Sequence, residues 1–127
     1  MPNQTNQANP AIPAAFPPQH QSTQPGSQSA MRPVPITDNP NYRGSGKLVG
    51  RVALISGGDS GIGLAAATAF SKEGADVAIL YLSHDADARS AVRQIQSYGA
   101  QCISIRCDLR QETEAARAVK EVLQRFG

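Results

Sequence analysis

The sequence predicts an α/β fold: a doubly wound parallel sheet of which this chain carries the N-terminal half only, with strand order 3-2-1. Three observations predict it. From Lys47 onward, short apolar runs alternate with longer helical patterns. One of those runs, Val77-Ala-Ile-Leu-Tyr-Leu82, is almost continuously apolar, as a parallel strand covered on both faces should be. The first run, Val52 to Ile55, empties into a turn holding Gly57, Gly58, Gly61 and Gly63, and an alanine-rich helical stretch follows at once. Repeated strand–helix units cross over right-handedly, which gives the parallel pairing and the order.

The elements follow in chain order. Residues 1–31 contain no Lys, Arg, Asp or Glu and are built largely from Gln, Asn, Pro, Ala and Ser. Such a segment has too little apolar surface to offset the entropy of ordering it, so disorder is expected there. All nine prolines lie at or before Pro40, and residues 32–46 read as an extended, proline-stiffened arm. The chain thus divides into a tail and arm over 1–46 and a folded domain over 47–127. Tyr42 and the small residues Gly44-Ser-Gly46 suit docking against a surface better than a free linker.

Within the domain the first strand is expected over 51–56, and the first helix from Gly61 to Glu73, closed by Gly74. The second strand covers 77–82. Ser83 to Asp85 offers N-cap chemistry for a second helix reaching Tyr98, with Ala88, Ala91, Val92 and Ile95 on its apolar face. Gly99 closes it. The third strand spans Gln101 to Cys107. Asp108 is a candidate N-cap for the third helix, whose acidic start (Glu112, Glu114) suits the positive end of the helix dipole. Ala116, Val119, Leu123 and Phe126 are its expected apolar stripe.

Composition narrows the function classes. A formal charge of +2, evenly spread, does not point to nucleic acid. No run approaches the ~20 apolar residues that span a membrane. The N-terminus lacks the basic start and apolar core of a signal peptide, so a cytoplasmic location is expected. Cys102 and Cys107, five apart in one strand, should point to opposite faces about 16 Å from each other, too far to pair. His20 and His84 have no ligand-like companions, and no metal site is expected.

The glycine turn carries the chemical signal. A strand, a glycine turn and a helix together set bare backbone N–H groups and a positive helix end against a pyrophosphate. The spacing is Gly57-x-x-x-Gly61-x-Gly63, not the G-x-G-x-x-G of the general dinucleotide fingerprint. Gly57 would let the chain leave the strand in a conformation that strains a β-carbon. Gly61 would remove a side chain where the pyrophosphate approaches, and Gly63 would let the helix pack closely on the strand. Asp59, a carboxylate beside a phosphate site, should point away and brace the turn. His84 reads as a solvent-facing loop residue.

Ser56-Gly-Gly-Asp-Ser-Gly-Ile-Gly63 resembles the cofactor-binding turn of the short-chain dehydrogenase/reductase family, with Ser56 where most members carry threonine. The longer run from Tyr42 to Gly63 is similar to a bacterial subgroup with an extended N-terminus, described as aldehyde reductases or glucose 1-dehydrogenase-like oxidoreductases. The resemblance implies a Rossmann domain and an NAD(P) cofactor held by Gly57, Ser60, Gly61, Ile62 and Gly63. It implies that Tyr81 and Leu82, ending the second strand, flank the adenosine ribose, and that Asp108 and Leu109 contact the adenine. It also implies homo-oligomeric, tetrameric full-length relatives.

At the ribose position stands Tyr81 and no carboxylate to exclude NADP. No Arg or Lys stands there to attract it either, and the balance favours NADP slightly over NAD. In the family, hydride transfer needs a tyrosine with a lysine four residues later, a serine and an asparagine. Four residues after Tyr42, Tyr81 and Tyr98 stand Gly46, Asp85 and Cys102, and every asparagine lies at or before Asn41. No catalytic residue is therefore assigned.

Two readings stay open. In one, the chain is the cofactor-binding N-terminal portion of a short-chain oxidoreductase acting on aldehydes, ketones, alcohols or sugars when full length. In the other, it is a non-catalytic nucleotide-binding or interaction module with the Gln/Pro tail as its partner segment. A sheet ending at strand 1 would leave an open apolar edge beside Val52 to Ile55, so loose packing or self-association through strand 1 is expected, with dinucleotide binding weak at best.

Overall fold

The computed structural model describes residue 15 and residues 17–127. The expected disorder over 1–31 lies partly outside these, at residues 1–14 and 16.

Among the described residues, three strands, β1 (Val52–Ser56), β2 (Asp76–Tyr81) and β3 (Cys102–Arg106), alternate with α1 (Gly61–Lys72), α2 (Asp85–Gln96) and α3 (Glu112–Phe126). All pairing is parallel and the sheet order is β1-β2-β3, the predicted 3-2-1 read from the other edge. The register runs from Val52 opposite Asp76 to Ser56 opposite Leu80, and from Val77 opposite Cys102 to Tyr81 opposite Arg106. Central β2 is buried on both faces from Val77 to Leu80, which explains its unbroken apolar sequence.

Alternation along the strands divides the core in two. On one face, Val77, Ile79 and Cys102 meet Leu64 and Ala67 of α1 and Ala91 and Ile95 of α2, with Ala53, Ile55 and Val92 at the margin. On the other, Ala78, Leu80, Ile105 and Cys107 meet Ala118 and Val122 of α3. The two cysteines are free and buried on opposite faces, as their odd spacing requires. Burial alone pushes the Cys102 thiol up to about 11, which keeps it protonated and unreactive.

The inward stripe of α3 differs from the expected one. Ala118 and Val122 are buried, with Phe126 partly so, while Val119 and Leu123 are 46% and 60% exposed and Ala116 is exposed. Two adjacent apolar lines on this helix both satisfy the helical period, and only the position of the sheet chooses between them. The same side of β1 is also open, with Val52 and Leu54 42% and 41% exposed.

Two expected caps differ as well. His84 is the N-cap residue of α2 and Gln111 that of α3, neither with a side-chain cap bond. Asp85 instead accepts a hydrogen bond from the Tyr81 hydroxyl at 2.7 Å, and Asp108 holds Arg110.

The arm closes the far end of α1. Glu73, buried just past that helix, accepts from the Tyr42 hydroxyl, from the backbone N–H of Ser45 (3.1 Å) and of Lys47 (3.0 Å), and from Lys47 Nζ (3.3 Å). These donors hold its carboxyl at about 2, the Tyr42 hydroxyl foremost. Lys72 pairs with Asp38 and lies 4.6 Å over the Tyr98 ring, and Tyr98 also donates to Asp38. A β-carbon on Gly44 would lie 1.8 Å from the Lys72 carbonyl oxygen, so only glycine permits this approach.

Candidate functional site

The turn from β1 to α1 is tied to the end of β2: the N–H groups of Gly57 and Gly58 both donate to the Leu80 carbonyl, at 2.8 and 3.3 Å. Gly57 and Gly61 have φ of +64° and +55°, the left-handed region in which a β-carbon is strained. Around both, an added β-carbon would meet nothing within 4 Å. At these two positions the turn presents bare backbone with no side chain packed over it, apart from Gln28, which accepts from the Gly61 N–H at 2.6 Å. Gly63 is glycine for the opposite reason, since a β-carbon there would lie 2.2 Å from the Gly57 carbonyl oxygen. Gly58, to which the sequence reading gave no role, faces Ile79, and a β-carbon there would overlap its side chain at 2.5 Å.

Ser60 is the N-cap residue of α1, in extended backbone and without a side-chain cap bond. The first N–H groups of the helix are thus not consumed by the helix's own cap, as an anion site requires. Ile62, on the first turn, is 91% exposed.

A cavity of about 620 Å³ lies at the carboxyl ends of the strands. Its lining brings together Gly57, Ser60, Tyr81, Leu82, Asp108 and Leu109 from the expected set. Gly61, Ile62 and Gly63, which follow Ser60 at the start of α1, are not part of that lining. This is the crevice above the strand ends where open α/β sheets take ligands.

Asp59 also lines the cavity. Burial, with the Asp87 charge adding to it, pushes its carboxyl above the usual range. Asp108 is held below that range by Arg110, whose guanidinium bonds both carboxylate oxygens. Its backbone N–H donates to Glu114 at 2.6 Å, which fixes the turn leaving β3.

The rest of the lining includes residues the sequence reading did not assign: Gln24, Pro25, Leu80, Cys107 and Arg110. Arg110 follows Asp108 by two residues and was findable as its partner. Gln24 and Pro25 sit in a low-complexity tail and carry no signal. His84, expected to face solvent, is partly buried, and its Nε2 lies 2.7 Å from the Pro25 carbonyl oxygen. Arg106, beside Tyr81 in the register, places Nε 3.1 Å from the Leu82 carbonyl oxygen and Nη1 3.9 Å from Asp85. A basic group does therefore stand at the end of β2, supplied by the neighbouring strand.

The family profile described as short chain dehydrogenase matches residues 51–127. The chain belongs to that family. Among its relatives is the uncharacterized oxidoreductase YhdF of Bacillus subtilis (strain 168), 49% identical over 110 residues, which cover 87% of this chain and 38% of the relative. A short chain dehydrogenase from Burkholderia cenocepacia J2315, solved in complex with NADP, superposes with a TM-score of 0.61 at 38% identity. The match covers 63% of this chain and 33% of that one. An NAD+-bound xylitol dehydrogenase gives the same TM-score at 30% identity, covering 64% and 31%. The chain thus spans well under half the length of the family members it matches. No helix among the described residues is long and apolar enough to cross a membrane, and no group of metal-ligating side chains is found among them.

Proposed function

We propose that these 127 residues are the cofactor-binding N-terminal portion of a short-chain NAD(P)-dependent oxidoreductase. The observation that carries the reading is the pairing of an open, positive-φ glycine turn with a cleft walled by Tyr81, Leu82, Asp108 and Leu109. The residues present fit a dinucleotide. The start of α1 suits the pyrophosphate, with Gly57, Ser60, Gly61 and Gly63 around it and Ile62 exposed where an apolar ring could rest. Tyr81 and Leu82 would flank the adenosine ribose, and Asp108 and Leu109 the adenine. Bound NAD(P) supplies the hydride acceptor or donor, and this chain's residues bind and orient it.

NADP is favoured over NAD. Tyr81 stands where a ribose-binding carboxylate would exclude a 2′-phosphate, and the Arg106 guanidinium lies beside it. Asp85, the nearest carboxylate to the Tyr81 hydroxyl, is engaged by that hydroxyl and faces Arg106.

In the full-length protein the reaction is hydride transfer to an aldehyde or ketone, or from an alcohol or sugar, in a homotetramer working in the cytoplasm. These residues contain no Tyr-x-x-x-Lys and supply none of the proton transfer. The competing reading, a non-catalytic module using its tail to hold a partner, is weakened because Gln24 and Pro25 turn onto the domain's own cleft.

Purified residues 1–127 should quench or shift NADPH fluorescence saturably, and should oxidise no NAD(P)H with aldehydes and reduce no NAD(P) with alcohols or sugars. Turnover retained in material free of host dehydrogenases would contradict the catalytic half of the proposal. A flat NADPH titration with correctly folded chain would contradict the binding half.

A further inference from the structure

The segment from Gln24 to Ala30 does not trail away from the domain. Gln28 accepts a hydrogen bond on its side-chain Oε1 from the Gly61 N–H at 2.6 Å. That N–H belongs to the first residue of α1, where a phosphate oxygen would be received. Pro25 lies with its carbonyl oxygen 2.7 Å from His84 Nε2, and Pro25 and Gln24 line the same cleft as Tyr81 and Asp108. The segment is itself shaped to reach there. Gln21 bonds the backbone of Ser27 in both directions, at 2.8 and 2.6 Å, and Gln28–Ala30 forms a 3-10 turn that presents the Gln28 side chain.

We propose that residues 24–28 are a built-in, displaceable strap at the edge of the dinucleotide cleft, in which Gln24 and Pro25 wall the cleft and the Gln28 amide oxygen takes the place of a pyrophosphate oxygen on Gly61. The inference rests on the dinucleotide reading of the cleft. Two features make the strap displaceable. A neutral amide oxygen carries only a partial charge, whereas a phosphate brings a full one to the positive helix end and a stronger hydrogen bond. The segment also carries no ionic side chain before Arg32, so no ion pair from within 24–28 holds it at the cleft. A strap of this kind lowers apparent affinity by the fraction of time it is closed. Removing one modest hydrogen bond should raise apparent affinity roughly five-fold.

The test uses the full chain with Gln28→Ala, and separately with His84→Ala, which removes the second anchor. Backbone amide exchange at Gly61 is measured without ligand, and NADPH affinity by fluorescence titration. The proposal expects faster Gly61 exchange in Gln28→Ala, tighter NADPH binding in that variant, and a smaller gain in the same direction in His84→Ala. Unchanged Gly61 exchange would overturn it, because the contact would not then exist in solution. Faster exchange with equal or weaker NADPH binding would overturn it too, showing a strap that aids the cofactor. If exchange responds but neither the parent nor either variant binds NADPH, the dinucleotide reading itself fails, and the strap has nothing to compete with.

Discussion

The two ends of α1 are both met by the N-terminal segment, and they are met differently. At the C-terminal end, Glu73 gathers four donors, Lys72 pairs with Asp38, and Gly44 packs so closely on Lys72 that no other residue fits. At the N-terminal end the segment makes one hydrogen bond, from the Gly61 N–H to Gln28, and the space where β-carbons of Gly57 and Gly61 would stand is empty. Multiple charged hydrogen bonds to a buried carboxylate make a fixed joint, whereas one neutral bond at a bare helix start makes a contact that a better ligand can replace. The sequence invests side chains at one end and removes them at the other. That asymmetry separates the structural end of the helix from the functional one.

Breaking the functional end should have the largest effect. In Gly63→Val, atoms would be forced against the Gly57 carbonyl inside a turn that is pinned to β2, and overpacking of this kind costs about 1–3 kcal/mol. Thermal melting should show a lowered midpoint, and NADPH binding should disappear. A normal melt with intact binding would mean that helix and turn are less tightly apposed than the geometry requires.

A smaller effect is expected from Gly44→Ala. The clash with Lys72 is as severe, but the arm can swing away while the sheet and helices stay. Trypsin should then cut after Arg43 and Lys47 several times faster, with little change in the domain's far-ultraviolet circular dichroism. Equal cleavage rates would show that the arm is not held by this approach.

Acid should loosen the same joint with no mutation at all. The folded-state value of Glu73, about 2, lies below its ordinary value of 4.5, so its contribution to holding the arm is complete above that ordinary value. It is lost as pH falls from about 4.5 through 2. Tyr42 ring signals in NMR should move toward free-tyrosine positions over that window, and Glu73→Gln should show the loosened position already at neutral pH. A Tyr42 signal that stays fixed through the window would remove Glu73 from its role.

Much of this contrast was legible in the sequence. Glycine reports backbone geometry directly, so the positive φ of Gly57 was legible and so was a close approach at Gly63, although that approach is to the Gly57 carbonyl of the turn and not to the strand. The docking of Tyr42 followed from an aromatic set among small residues. The buried face of α2 was legible because only one apolar line runs along it. On α3 two apolar lines compete, one through Val119 and Leu123 and one through Ala118 and Val122, and only the second faces the sheet. Arg106 was hidden because it belongs to the next strand, and only the parallel register brings it beside Tyr81. Glu73 was hidden because nothing marks a helix-ending glutamate as the acceptor for a segment some thirty positions upstream. Gln28 was the least visible of all, one glutamine in a stretch rich in glutamine.

The most direct measurement of the asymmetry is a two-dimensional amide NMR titration of residues 1–127 with NADP. Saturable shifts are expected at Gly57, Gly61, Ile62 and Gly63, and at Tyr81, Leu82, Asp108 and Leu109, while Ser45 and Lys47 at the Glu73 joint stay where they are. Shifts centred on the Glu73 joint, or none at the glycine turn while the domain is folded, would contradict the assignment of the ligand to the N-terminal end of α1.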